Sequence, residues 1–191
     1  MSKNLTKRIY TSAVLLMILF LMSVNNFILG YFLLIISLIS VLEFNNIISI
    51  IYKNTNLKKI ILNLFFLFYI FSFSSIFLIL SFFFYLKFLI FLVLTTCIVS
   101  DIGGFVVGRK FKGKKLTKLS PNKTISGAIG SLVFSTTFFS LAIYYFTKNF
   151  EIYFLVIGLI TSIACQAGDL FFSFLKRKSS LKDTGSFLPG H

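Results

Sequence analysis

The sequence has 191 residues, of which 57% are hydrophobic and 13% are charged, and its mean hydropathy is +0.95. The charged share is about half of what soluble domains carry, so the composition excludes a soluble globular domain and indicates an integral membrane protein. A formal charge of +14 would suggest a nucleic-acid partner in a soluble protein, but here the cations are clustered between apolar runs, and we expect no nucleic-acid partner.

The distribution of these cations predicts the membrane topology. All lysines and arginines except Lys87 and Lys148 fall in four clusters, which lie at residues 3–8, 53–59, 109–123 and 176–182. Basic and non-basic connections alternate along the chain, which is the positive-inside pattern. We therefore expect both termini and both basic loops on the cytoplasmic side, and a multi-pass protein of the inner (cytoplasmic) membrane.

Apolar runs of about 17–25 residues are long enough to cross a bilayer as helices. Six runs of roughly this length are predicted as spans: residues 9–24, 27–42, 60–80, 88–107, 125–146 and 152–175. Turns are predicted at Asn25-Asn26, at residues 82–87 and at residues 147–151, and the second helix is able to continue through Ile51. The predicted fold is an all-α polytopic membrane helix bundle, a single domain over residues 1–191.

The two cysteines, Cys97 and Cys165, both lie within apolar segments. Such cysteines behave as small packing residues more often than as a disulfide or a metal pair. The chain has one histidine, so a histidine–cysteine metal cluster is excluded.

Two of the five acidic residues, Asp101 and Asp169, lie inside predicted spans, about two turns from their cytoplasmic ends. A carboxylate near mid-bilayer costs about 2.5–3.5 kcal/mol on insertion scales, so it normally faces a protein interior or a wet cavity. The alternatives are a carboxylate that reaches the nearby interface and one that is paired with a lysine.

Helical spacing places further polar and small residues beside these carboxylates. Ser173 and Lys176 share a helix face with Asp169, and this face suits a metal-bound polyphosphate. Gly104 and Gly108 follow Asp101 as a small-residue stripe, with Gly103 beside it. Such stripes let helices approach closely, which would bring the two carboxylates together, although packing alone explains the glycines equally well. The stripe also leaves a homodimer open.

The segment Ser120–Gly127 stands at the start of a predicted span. Pro121 suits the first turn of a helix, with Ser120 as its cap. A helix start with free N–H groups, a lysine and two hydroxyls is suited to bind an anion, although a capped helix without a ligand fits the segment equally well. The segment is not a Walker loop, because the G-x-x-x-x-G-K-[ST] spacing is absent.

Residues 97–191 contain an ordered series of motifs that resembles the phosphatidate cytidylyltransferase (CDP-diacylglycerol synthase) family. The motifs are the run Asp101–Arg109, the run Ser120–Gly127, the pair Gly168-Asp169, the run Ser173–Arg177 and the run Lys182–His191. The last two follow the specific pattern S-x-x-K-R-x(4)-K-D-x-G-x(2)-[LIF]-P-G-H. Residues 1–96 match only as hydrophobic spans.

The resemblance implies an enzyme that transfers the cytidylyl group of CTP to phosphatidate in the membrane, giving CDP-diacylglycerol and pyrophosphate, with Mg²⁺ as cofactor. It implies that Asp169 and Asp183 hold the metal and that both act in catalysis with Lys182. The substrate-binding residues it implies are Asp101, Ser120, Lys123, Thr124, Ser173, Lys176, Arg177 and His191.

In the family the final run continues past the histidine as G-G-x-x-D-R-x-D and leads into a further span, whereas this sequence stops at His191. We therefore interpret the sequence as a fragment, and expect further metal ligands beyond it. Two other functions stay open. One is another CTP-dependent lipid transferase, and the other is a transporter or channel with intramembrane carboxylates. A transporter predicts internal symmetry between the two halves, whereas Asp101 and Asp169 both lie in the latter half.

Overall fold

The computed structural model describes residues 3–117, 119–121 and 123–181, apart from the side chains of residues 3–9 and 12. These residues form six α-helices and one isolated antiparallel bridge, between Lys115 and Thr124. The helices are α1 (Lys3–Val24), α2 (Asn26–Ile51), α3 (Asn56–Ser81), α4 (Phe84–Phe111), α5 (Ile125–Thr147) and α6 (Ile152–Lys178). The predicted all-α class is confirmed.

Five of these helices, α2 to α6, are long and apolar enough to cross a membrane. In α1 the apolar stretch among the described residues is shorter, Ala13–Val24. Many large apolar side chains are exposed, among them Phe27, Phe84 and Tyr85, each more than 80% exposed. A soluble protein rarely presents so much contiguous apolar surface. Because lipid chains can cover such side chains, the structure is that of a multi-pass membrane protein.

The described residues fall into two compact units. The first comprises residues 3–88 with residues 178–181, and the second is Leu89–Arg177. The single membrane domain predicted from the sequence stays a prediction.

In the first unit α2 and α3 pack side by side in opposite directions. The Phe44 and Phe66 rings are stacked with centroids 3.9 Å apart. Towards the other end of the pair, the hydroxyl oxygens of Ser37 and Ser74 lie 2.8 Å apart. From Ser37 to Phe44 the residue numbers increase along α2, while those of their partners decrease from Ser74 to Phe66 along α3. The two helices are therefore antiparallel.

The second unit is held together mainly by small and hydroxyl-bearing residues. The buried positions of α5 include Gly127, Gly130, Ser131, Ser135 and Ser140. Lipid tails are as apolar as leucine, so close backbone approach and interhelical hydrogen bonds replace the hydrophobic effect between membrane helices. This composition brings α4, α5 and α6 close enough to enclose the cavity described below.

The turns agree with the prediction where a polar residue marks them. Asn25 caps α2 by accepting a hydrogen bond from the Phe27 N–H, 2.8 Å away, and Lys148 ends α5 in the left-handed conformation, with φ of 59°. The turn predicted at residues 82–87 is shorter, because α4 already begins at Phe84. The stretch contains no glycine or proline, so no residue in it marks the position of this turn.

Candidate active site

A cavity of about 480 Å³ opens in the second unit, and two of that unit's three acidic residues line it. Its charged and polar lining residues are Asp101, Arg109, Lys123, Thr124, Ser131, Gln166 and Asp169. The rest of the lining is small or apolar: Gly104, Phe105, Gly108, Leu116, Gly127 and Ala128. Asp101 and Asp169 therefore line one and the same cavity.

Lys123 and Asp169 form an ion pair inside this cavity, with the Lys123 Nζ atom 2.5 Å from the Asp169 Oδ2 atom. The side chains are 34% and 51% exposed. At that exposure an ion pair stabilises a fold by only about 0–1 kcal/mol. The position of the pair is more informative than its strength. Asp169 both lines the cavity and is paired with a lysine, so the two alternatives considered for it are not exclusive.

Backbone hydrogen bonds place Lys123 at the cavity. The connection between α4 and α5 folds back on itself, because the Leu116 N–H donates to the Lys123 carbonyl at 2.8 Å and the Ile125 N–H donates to the Lys114 carbonyl at 2.9 Å. The Lys123 N–H in turn donates to the Ser120 carbonyl at 3.1 Å. Lys123 is thus held through both its N–H group and its carbonyl group, and Leu116 is brought to the cavity wall.

The start of α5 differs from the prediction. The helix begins at Ile125, and its cap is Thr124, whose hydroxyl oxygen accepts from the Gly127 N–H at 3.1 Å. The expected cap Ser120 and the expected first-turn residue Pro121 lie in the preceding loop. Thr124 is the N-cap because its extended backbone (φ −114°, ψ 156°) is the conformation that a cap requires.

This capping also changes the predicted anion site. The N–H groups of Ile125 and Gly127, which a bare helix start would leave open, are already bonded to Lys114 and Thr124. The hydroxyl groups of Thr124 and Ser126 lie 3.1 Å apart and interact with each other. The positive group that this segment presents to the cavity is therefore the Lys123 ammonium rather than a row of free amides.

The predicted glycine stripe brings helices together, and its partner is α5. A Cβ atom on Gly103 would lie 2.5 Å from the Phe134 Cβ atom, and one on Gly108 would lie 3.2 Å from the Gly127 Cα atom. A Cβ atom on Gly130 would lie 2.9 Å from the Gly103 carbonyl oxygen. The stripe thus packs within the chain, and Gly104, Gly108 and Gly127 also line the cavity.

Four other predicted substrate residues, Ser120, Ser173, Lys176 and Arg177, do not line this cavity. The Ser173 hydroxyl donates to the Asp169 backbone carbonyl at 2.7 Å, a common outlet for a serine inside a helix. The Arg177 Nε–H donates to the Leu119 carbonyl at 3.2 Å. The expected continuous polar face along α6 is therefore not gathered at the cavity. Lys182, Asp183 and His191 lie outside the described residues.

Sequence reasoning missed several residues that the cavity contains. Gln166 gave no signal, because a single amide in an apolar run matches no motif. Arg109 belongs to a basic cluster and ends the run Asp101–Arg109, but it is not among the predicted substrate residues. Its guanidinium carbon lies 5.8 Å from the centre of the Phe105 ring, one helical turn earlier. The spacing of these two residues was the available signal, since positions four apart in a helix are neighbours.

The residues present fit a hard divalent cation. Asp101 and Asp169 supply carboxylate oxygens to one cavity, and Mg²⁺ is commonly bound by one or two carboxylates together with substrate phosphates and waters. Among the described residues no group of three histidine, cysteine or acidic side chains is positioned to hold a metal by itself. Cys97 and Cys165 are free, as expected, and neither lines the cavity.

Comparison with known proteins gives a consistent picture. The sequence profile described as the cytidylyltransferase family matches residues 3–191. The chain is similar to proteins named phosphatidate cytidylyltransferase from three bacteria. It is 38% identical to that of Rickettsia felis over 112 residues, which are 52% of this chain and 48% of that protein. It is 39% identical to that of Staphylococcus haemolyticus over 95 residues (49% and 36%) and 34% identical to that of Mycobacterium leprae over 103 residues (53% and 33%).

The matched part thus covers about half of the Rickettsia protein and about a third of the other two. No solved structure matches the chain.

Proposed function

The chain belongs to the cytidylyltransferase family, and we propose that it acts in the transfer of the cytidylyl group of CTP to phosphatidate, which gives CDP-diacylglycerol and pyrophosphate. The observation that carries this proposal is the meeting of Lys123, Asp101 and Asp169 in one cavity among apolar helices. The names of the curated relatives support the same reaction.

The two proposed substrates differ in polarity, and the cavity lining has groups suited to each. CTP is a water-soluble polyanion, whereas phosphatidate has an anionic phosphate on two apolar chains. The lining combines the cations Lys123 and Arg109 with apolar residues such as Phe105 and Leu116. Because CTP is supplied from the cytosol, we propose the inner (cytoplasmic) membrane as the location, with the basic loops on the cytoplasmic side. The partners are then CTP, phosphatidate and membrane lipid, without nucleic acid.

In the proposed reaction a phosphate oxygen of phosphatidate attacks the α-phosphorus of CTP. The new bond joins that oxygen to the α-phosphorus, the bond from the α-phosphorus to the bridging oxygen breaks, and pyrophosphate leaves with the electron pair. Catalysis of such a transfer consists mainly of positioning and charge stabilisation. Lys123 is suited to neutralise the triphosphate, since its ammonium already lies in the cavity and is held by Asp169.

Mg²⁺ would neutralise phosphate charge when bound. We assign Asp169 as its ligand from this cavity and keep Asp183, outside the described residues, as the second ligand. Asp101 shares the cavity with Asp169 and contributes to its negative charge. Asp183, Lys182 and His191 keep the catalytic and substrate roles that the family resemblance implies. Ser120, Ser173, Lys176 and Arg177 keep their substrate roles only as predictions, since they lie away from the cavity lining.

The test is incorporation of radiolabelled CTP into lipid by membranes of cells that express the complete coding sequence, with added phosphatidate and Mg²⁺. We expect labelled CDP-diacylglycerol, loss of this product in Asp169→Asn, and normal product in Glu151→Gln, which removes a carboxylate from the exposed turn before α6. Uptake of a solute without lipid labelling would instead establish a transporter. Normal labelling by Asp169→Asn would refute the assignment of that residue.

A further inference from the structure

A chain of hydrogen bonds joins three helices of the second unit beside the cavity. The hydroxyl oxygens of Ser100 in α4 and Ser162 in α6 lie 2.8 Å apart, and the two residues are 1% and 0% exposed. The Gln166 Nε2 group of α6 donates to the Ser162 hydroxyl at 3.3 Å and to the Ala128 carbonyl of α5 at 3.3 Å. One continuous network, Ser100–Ser162–Gln166–Ala128, therefore ties α4, α5 and α6 together.

The orientation of the Gln166 amide is fixed by its partners. A backbone carbonyl can only accept a hydrogen bond, so the group that faces Ala128 must be the NH₂ group and not the oxygen. With one hydrogen on Ala128 and the other on Ser162, the amide nitrogen has no donor left for a ligand. Although Gln166 lines the cavity, its nitrogen therefore serves the connection between helices.

Each helix in this network also carries a charged group of the cavity. Ser100 directly precedes Asp101, and Gln166 lies three residues, about one turn, before Asp169. Ala128 lies in the first turn of α5, which follows Lys123 and its cap Thr124. The network is thus attached within one turn to Asp101 and Asp169, and to the first turn of the helix that follows Lys123.

We propose that Ser100, Ser162 and Gln166 are positioning residues that fix the separation of Asp101, Asp169 and Lys123 for the reaction. This inference depends on the proposed function. A single interhelical hydrogen bond makes only a small contribution to the stability of a membrane helix bundle. A displacement of about 1 Å at reacting groups, in contrast, can lower a rate about 100-fold. Loss of the network should therefore affect turnover far more than folding.

The test compares Ser162→Ala and Gln166→Leu with the control Ser135→Ala in purified protein in detergent. Ser135 is equally buried, at 0% exposure, but its hydroxyl donates only to the Leu132 carbonyl of its own helix. We expect Ser162→Ala and Gln166→Leu to lower kcat about 10- to 100-fold and to raise the Mg²⁺ concentration needed for half-maximal activity. The KM for phosphatidate should change less than threefold, and the midpoints of thermal unfolding should match that of Ser135→Ala.

A second measurement is independent of activity. Cys97 in α4 and Cys165 in α6 lie one turn before Asp101 and Asp169. Their rate of disulfide formation with copper phenanthroline therefore reports the relative placement of the two helices. We expect Ser162→Ala and Gln166→Leu to change this rate at least threefold, and Ser135→Ala to leave it unchanged.

Three results would overturn the positioning role. They are activity within twofold of the parent in both network variants, an equal loss in Ser135→Ala, and cross-linking rates that do not differ from the parent. If the parent protein labels no lipid, the proposed function fails, and the cross-linking rates alone then decide whether the network sets the placement of α4 and α6.

Discussion

Lys123 and Asp169 each make the charge of the other tolerable in a largely apolar part of the chain. The lysine comes from the loop before α5 and the carboxylate from the middle of α6, so the pair also links two distant stretches of sequence. Both side chains remain partly exposed, and both charges can therefore meet a ligand that enters the cavity. In the proposed function this exposure lets the pair meet a phosphate with its counter-cation.

Lys123→Met should lower kcat for CDP-diacylglycerol formation about 100- to 1,000-fold, as expected when one preorganised electrostatic group is removed from developing phosphate charge. The measurement is labelled-lipid formation at saturating CTP. Lys110→Met is the matched control, because Lys110 belongs to the same basic cluster but lies outside the cavity lining. Equal losses in both variants would show that overall basic charge, rather than Lys123 itself, is what the reaction needs.

Thr124→Val should lower the free energy of unfolding by about 1 kcal/mol, because the valine keeps the shape but cannot accept the Gly127 N–H. Ser120→Ala should change it by less than about 0.5 kcal/mol, since Ser120 does not cap α5. Denaturant titration in detergent without substrate measures both. A larger effect in Ser120→Ala would restore the cap that the sequence predicted and contradict the one that the structure shows.

The contrast between these two residues shows which residues sequence reasoning could place at the cavity and which it could not. It found Lys123 and Thr124 because a lysine and hydroxyls beside a helix start are typical of phosphate sites. It placed the cap four residues too early, because proline after serine is a common helix start and the backbone angle that decides between Ser120 and Thr124 depends on the fold of the loop. Gln166 was missed, since its role exists only once α5 and α6 are adjacent.

At the scale of elements, the contact between α4 and α5 depends on glycines that face backbone atoms and Cβ atoms of the neighbouring helix. A Cβ atom on Gly130 would lie 2.5 Å from the Val107 Cβ atom and 2.9 Å from the Gly103 carbonyl oxygen. Neither atom can move away without shifting a helix. The glycine thus sets the distance between the two helices that form one wall of the cavity.

Gly130→Ala should therefore destabilise the protein by about 1–3 kcal/mol, the usual cost of overpacking, and should reduce activity with it. Gly168→Ala is the matched control in α6, because nothing lies within 4 Å of the position of its added Cβ atom. Since alanine favours a helix over glycine by about 1 kcal/mol, this control should be neutral or slightly stabilising. Thermal unfolding of the two variants in one detergent measures the difference, and equal midpoints would contradict the close α4–α5 contact.

The sequence predicted the ends of the helices correctly where polar residues interrupt an apolar run. Asn25 and residues 147–151 interrupt apolar runs, and the structure turns at both. The turn between α3 and α4 could not be located to the residue, because an unbroken run of phenylalanine, tyrosine and leucine is compatible with either a helix or a turn at each position. The α4–α5 partnership was likewise beyond the sequence, since a glycine stripe specifies close approach but not the partner.

At the scale of the whole molecule, the charge pattern and the position of the cavity predict the same membrane orientation. The cavity includes Arg109 and Lys123, which belong to the basic cluster at residues 109–123, and its proposed nucleotide substrate is cytosolic. Basic segments are retained on the cytoplasmic side during insertion. Residues of the α4–α5 connection should therefore face the cytosol, and the α5–α6 turn should face the opposite side, one helix length of α5 away.

Cysteine labelling tests this orientation in the second unit. In a Cys97→Ala/Cys165→Ala background, Lys112→Cys should react with a membrane-impermeant maleimide in inverted vesicles but not in intact spheroplasts, and Asn149→Cys should show the reverse. Both positions are exposed loop residues, so accessibility to the reagent depends on the side of the membrane and not on burial. Labelling of Lys112→Cys in intact spheroplasts would reverse the topology. It would also separate the cavity from its proposed cytosolic substrate, so that CTP could not be the nucleotide donor in the cell.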